Sequence, residues 1–297
     1  MKTTHLILVL FALLILGGGA YWLTQTDSST VVENELNPTD TMPVEPDGGI
    51  GDGAEPLEEP DDQAEDDAPY SNTVEIGNSV EGRPIVAHTF GTGNDHVVFM
   101  SGLHGGDAPN TSALGAELIE YFTANESAVP ESLQVTVIPT LNPDGLAGDS
   151  RFNANGVDLN RNFGCEWAAT SMWRDQEVSG GSAPYSEPEA AAVRNYLEEI
   201  NAVGAVVWFA AEGKVYPSAC EGVPSEESVT LAATFANAAD YPVDAEFDAY
   251  QINGDITNWL ADEGVPAISV LLTDRENTEL ARNLAGVDAV LQALAAE

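Results

Sequence analysis

Beyond residue 70 the apolar positions follow two alternating rhythms. Short runs rich in β-branched residues occupy 97–103, 133–141, 205–209 and 267–272, each too short for a lone helix. These are predicted strands. Longer stretches with apolar residues three and four apart occupy 111–123, 187–200, 227–239 and 278–296, and are predicted helices. At the second of these, Ser186 and Glu189 have capping-box spacing, with Pro188 inside the first turn. Buried strands separated by helices predict an α/β fold, a mostly parallel or mixed central sheet flanked by helices. Ligand chemistry then belongs at strand ends and in the loops that follow.

The amino-terminal 70 residues follow neither rhythm. Lys2 precedes an apolar run at 6–23, about the length a tilted helix needs to cross a bilayer. No Lys or Arg recurs until Arg83, so the positive-inside rule places the amino terminus in the cytosol and the rest outside. Gly18 and Ala20 offer small residues to a signal peptidase, whereas Tyr21 and Trp22 suit a retained interface. Residues 1–23 therefore read as a signal anchor or a signal peptide, with the anchor favoured. The domain is expected outside the cytoplasm, held at the cell membrane or secreted. Residues 24–70 carry 15 acidic residues, no basic ones and six prolines. Such a stretch cannot bury enough apolar surface to offset its chain entropy, and it is predicted to be a disordered linker.

Charge narrows the range of partners. Asp and Glu number 49 against 9 Lys and Arg, a formal net charge of −40. Nucleic acid is excluded as a partner, because phosphate binding needs clustered cations. Residues 71–297 alone hold 34 acidic residues against 8 basic ones, with Lys214 the sole lysine. That balance fits adaptation to high salt and equally an acidic envelope protein. Cys165 and Cys220 lie in the part expected to be exported, where a disulfide persists; two buried free thiols are the alternative.

The chemistry-bearing residues cluster after the predicted strands. Leu103-His104-Gly105-Gly106-Asp107 follows the first, Asn142-Pro143-Asp144-Gly145 the second, and residues 151–163 (RFNANGVDLNRNF) come soon after. A His and a carboxylate three apart can reach one metal from a single turn, and an Arg beside an Asn can grip a carboxylate. With Gly82-Arg83-Pro84 in an amino-terminal hairpin, these segments resemble the zinc carboxypeptidase family, M14, across nearly all of 72–297. GVDLNRNF is the strongest single element.

The resemblance implies zinc held by a His and a Glu in one loop and a His after a later strand. It also implies a glutamate base on another strand. The substrate-gripping positions are kept. Asn160 and Arg161 match the family's carboxylate-binding pair, Arg151 its carbonyl-polarising arginine, and Tyr250 its mobile tyrosine. The metal and base positions are not. His104 stands at the first ligand, but Asp107 replaces the Glu, or Ala108 does if the loop carries one residue more. Ala210 stands where the second His belongs and Leu271 where the base belongs. Glu212, two residues past Ala210, would face the same way only if that strand continued, and Asp274 begins a polar turn, Thr273-Asp274-Arg275-Glu276-Asn277, read as a solvated loop.

The leading expectation is a membrane-tethered carboxypeptidase-like domain without hydrolytic activity that binds peptide or peptidoglycan-peptide carboxyl termini. Bound zinc is doubtful on this reading. The alternative is an active zinc metallocarboxypeptidase or peptide amidase with a rearranged ligand set around His104 and Asp107. A third reading makes the motifs a scaffold, since Asp144, Asp158 and Asn162 can bond neighbouring backbone. Trp167, Trp173 and Trp259 are expected to serve only loop or core packing.

Overall fold

Side-chain alternation along the strands decides how the layers form. In β3 (Asp95–Met100), Val97 and Phe99 enter one apolar layer and Val98 and Met100 the other. The neighbouring β7 (Ala202–Ala210) repeats this, with Val206 and Trp208 opposite Ala205, Val207 and Phe209. Strands buried on both faces need helices on both faces. The computed structural model describes residues 71–296. The predicted anchor or signal peptide and the acidic linker lie outside the described residues. Among those described, no helix is long and apolar enough to cross a membrane.

One seven-stranded sheet organises the fold. Its core is four parallel strands in the order β4 (Leu133–Ile138), β3, β7 and β9 (Ala267–Leu272). Antiparallel strands close both edges. The hairpin of β1 (Ser71–Asn78) and β2 (Pro84–Phe90) adds beside β4, and β8 (Lys214–Pro217) adds beside β9. A separate two-stranded ribbon, β5 (Thr170–Trp173) and β6 (Gln176–Ser179), stands apart from the sheet.

On one face pack α1 (Pro109–Ala124), α4 (Glu226–Ala239) and α6 (Leu280–Leu294), contributing Leu114, Leu118, Phe122, Phe235 and Val287. Trp208 lies 5.7 Å from the Phe99 ring and 6.2 Å from Phe235, an aromatic chain spanning that layer. Each such pair contributes about 0.5–1.5 kcal/mol beyond area burial. The other face is covered by α3 (Pro188–Glu199) and α5 (Ile256–Asp262), through Ala190, Val193, Trp259 and Leu260.

The predicted strands and helices are all present: β9 has its predicted bounds, β7, α1 and α4 run longer than predicted, and α3, α6 and the ends of β3 and β4 are shorter. β3 stops at Met100 and β4 at Ile138, because beyond them the amides of Leu141 and Asn142 bond the carbonyls of Ser101 and Gly102 in a loop pair. One local prediction is corrected. Ser186 does not cap α3: the N-cap is Glu187, with Pro188 in the first turn. Ser186 Oγ instead accepts from Asn162 Nδ2 at 3.1 Å, and the Glu189 carboxylate accepts from the Val80 amide and Asn153 Nδ2. Cys165 and Cys220 form a disulfide.

Candidate functional site

The chain runs from β3 through α1 to β4 on one side, then crosses the opposite face to β7 on the other. Such a reversal opens a crevice at the carboxyl ends of the parallel strands. There the structure has a cleft of about 860 Å³ lined by His104, Arg151, Arg161, Ala210, Tyr250 and Leu271, among others.

Short-range polar bonds shape the loops that floor it. Asn142 Oδ1 accepts from the Gly145 amide at 2.8 Å, capping a short helix, α2 (Pro143–Ala147). Asp144 is buried and accepts from Ser79 Oγ, the Glu81 amide and Arg83, tying the amino-terminal hairpin to this loop. Gly106 lets the His104 loop touch the next one: a Cβ there would stand 2.4 Å from the Cα of Asp149. Asn162 Nδ2 donates to the carbonyls of Gly180 and Ala183, and its Oδ1 accepts from the Glu187 amide. Part of the motif therefore shapes the loops, as the scaffold reading expects.

The remaining motif residues turn toward the cleft. Arg151 Nε donates to Asp158 Oδ2 at 2.9 Å, and its guanidinium lies over the Trp173 ring at 4.5 Å. Asp158 Oδ1 also accepts from the Asn160 amide, fixing the 3₁₀ turn Leu159–Arg161. The Asn160 side chain is partly occupied, donating to Asp255 Oδ2 at 2.7 Å and accepting from the Ile256 amide. Arg161 is 1% exposed and donates only to the carbonyls of Asn160 and Met172. Its Nε has no partner, and among the described residues no carboxylate lies within ion-pair distance of it. Tyr250 sits across from it, with the guanidinium carbon 5.8 Å from the ring centroid.

The metal positions offer different chemistry from zinc coordination. His104 is buried against Phe209, with neither ring nitrogen hydrogen-bonded. Burial first, then the Arg151 guanidinium, holds its pKa well below the ordinary histidine value, so the imidazole is neutral. Asp107 faces two cations: its Oδ2 is 3.7 Å from Arg151 Nη1 and 3.5 Å from Arg275 Nη2. Arg275 Nη2 also reaches the Ala210 carbonyl at 3.4 Å. A zinc ion here would have one imidazole and one shared carboxylate, a methyl group where the third ligand is expected, and guanidinium charge beside it, with an isobutyl group where the base is expected. Among the described residues no group of three or more His, Cys, Asp or Glu is placed to hold a metal. The donor set does not fit a catalytic zinc, which takes three protein ligands and a water.

The substitutes weighed from sequence are placed as follows. β7 ends at Ala210, and Glu212 lies in the turn beyond, 3.3 Å from Lys214. Burial first, and then a hydrogen bond with Glu212, pushes the Tyr216 hydroxyl up to about 12. Asp274 accepts from the Glu276 and Asn277 amides and from Asn277 Nδ2, a turn-forming role.

Three residues of the cleft were given no site role from sequence. Trp173 packs as expected, against Phe152 and beneath Arg151, but it also lines the cleft, so packing is not its only role. Asp255 caps α5 and holds Asn160. Arg275 was read as part of a polar turn; its signal was the scarcity of cations and its place just after β9.

A model of the zinc carboxypeptidase family, peptidase M14, matches residues 61–279. The chain is similar to gamma-D-glutamyl-L-diamino acid endopeptidase 1 of Lysinibacillus sphaericus, 25% identical over 58% of this chain and 54% of that one. It thus spans about half the length of that relative. It is also similar to murein peptide amidase A of Escherichia coli K12, 26% identical over 66% of this chain and 79% of that one. Among solved structures it resembles carboxypeptidase A from Helicoverpa armigera, with TM-score 0.66 and 20% identity over 76% of this chain and 69% of that one. Murein-tripeptide amidase from Escherichia coli O157 matches with TM-score 0.55 and 22% identity over 75% and 91%. These two likenesses speak for the fold alone. With the family match running from before β1 to the last turn ahead of α6, the chain belongs to the zinc carboxypeptidase family.

Proposed function

We propose that this chain is a membrane-tethered, extracytoplasmic carboxypeptidase-like protein that binds peptide carboxyl termini, those of cell-wall peptides included, and does not hydrolyse them. The observation that carries this reading is Arg161. A buried guanidinium without a carboxylate is costly, and the structure gives this one only carbonyl partners at the floor of a cleft. A ligand carboxylate supplies the missing anion through charge-assisted hydrogen bonds. Murein peptide amidases among the relatives support cell-wall peptides as the ligand class. The disulfide and the apolar run at 6–23 support a domain outside the cytoplasm.

Calorimetric titration with peptides that differ only in a free or amidated carboxyl terminus tests it. Free-acid peptides should bind more tightly, and Arg161→Ala should weaken them roughly 10- to 100-fold, the range for a hydrogen bond to a charged group. Equal binding of both peptide forms would end this reading. A scaffold would show no effect of Arg161→Ala on ligand affinity.

One observation favours a second reading, a hydrolase with a rearranged ligand set: the neutral His104 ring has both nitrogens without partners. Carboxyl-terminal trimming of a peptide mixture, lost on chelation, would establish that reading instead.

A further inference from the structure

Beside the metal position stands a residue that the family pattern did not lead us to expect. Arg275 follows β9 in a turn, and its guanidinium enters the cleft between two groups. One is Asp107 Oδ2, at 3.5 Å; the other is the Ala210 carbonyl, at 3.4 Å. Asp107 stands at the second metal position and Ala210 at the third. The charge of Arg275 is met by Asp107, and that of Arg151 by Asp158 and Asp107. Asp255, a further buried acid of the cleft lining, accepts from the amides of Thr257 and Asn258 and from Asn160. Arg161 is then the one cation of this group without an anion.

Yet Arg275 is not fully used. Its Nε is buried and has no acceptor, like the Nε of Arg161 and both nitrogens of His104. A buried N–H without an acceptor forfeits its hydrogen bond to water with nothing in return, so an acceptor brought in by a ligand is favoured there. Because Arg275 is already neutralised by Asp107, a neutral acceptor suffices. We infer that Arg275 is a fixed cation standing in for the metal, and that its free Nε–H receives an amide carbonyl of the ligand while Arg161 takes the terminal carboxylate. The ligand class is then a monoanionic peptide end, one carboxylate with a nearby amide, held without any metal. This rests on the carboxyl-terminus reading above and adds the second contact point and the metal independence.

The test titrates the full chain with N-acetyl-trialanine as the free acid and as the amide, in chelator and again with added zinc. Wild type should bind the free acid equally well in both buffers. Arg275→Met and Arg275→Lys should each bind it roughly tenfold more weakly, the loss expected for a hydrogen bond from a charged donor, while still preferring acid over amide. The lysine variant keeps a charge beside Asp107 and serves as the control for folding. Full affinity in Arg275→Lys, or in Arg275→Met, would overturn the role of Nε–H. Binding that appears only with zinc would overturn the metal-free site while leaving the carboxyl-terminus reading standing. Loss of the acid preference in wild type would instead remove that reading and this inference with it.

Discussion

Arg151 and Asp158 form a buried ion pair, joined by a 2.9 Å bond from Nε to Oδ2, with side-chain exposures of 5% and 0%. The same aspartate holds the turn that presents Arg161, so the pair couples stability to the shape of the cleft.

Removing one partner of such a pair leaves the other charge buried. Asp158→Asn should therefore cost about 3–5 kcal/mol, read from urea unfolding. Burial alone would raise the Asp158 pKa, but Arg151 and then Arg161 pull it below the ordinary aspartate value. A depressed folded pKa contributes stability above the unfolded value and loses it as pH falls through the folded one. Asp144, whose own desolvation is outweighed by hydrogen bonds from Ser79, the Glu81 backbone amide and Arg83, is also lowered and acts in the same direction. Wild-type stability should thus fall as pH drops below the ordinary aspartate range. In Asp158→Asn that acid-side slope should be shallower, and an unchanged slope would contradict the assignment.

Gly254 backs directly onto Arg161. Its φ is +66°, and a Cβ there would stand 2.2 Å from the Arg161 carbonyl oxygen. Its amide donates to the Cys165 carbonyl at 2.7 Å, and its carbonyl accepts from the Phe163 amide at 3.0 Å. Gly254→Ala should lose about 1–2 kcal/mol from the left-handed backbone alone. It should also weaken free-acid peptides by displacing Arg161, which titration of the folded variant would reveal.

The disulfide joins the segment just after Arg161 to the loop after β8 across 55 residues. Chain entropy assigns a loop of that length roughly 4 kcal/mol. Cys220→Ser should lower stability by about that amount in chemical denaturation, and wild type in reductant should match it. A variant as stable as wild type would mean that the bond constrains little.

Zinc affinity separates the two functional readings. Titrated after chelation, with His104→Ala as control, wild type should show no site that depends on His104. One zinc per chain, lost in the His104 variant, would favour the hydrolase.

Much of the architecture was legible in the sequence because its cause is local. Short apolar runs rich in β-branched residues and helical apolar patterns mark four strands and four helices, and burial of both sheet faces follows from those continuous runs. GVDLNRNF and NPDG were legible because caps and tight turns need particular residues at fixed offsets, as Asn142 and Asp158 show. The amino-terminal anchor and linker remain readings of composition. What only the tertiary structure decided are meetings between distant segments. Ser186 had the spacing of a cap, but Asn162, 24 residues away, claims its hydroxyl. Arg275 looked like one more solvated charge until the end of β9 carried it to Asp107, 168 positions earlier in the chain. Spacing encodes what one turn can reach; which cation faces which carboxylate depends on how the strands are ordered in the sheet, and no run of neighbouring residues records that.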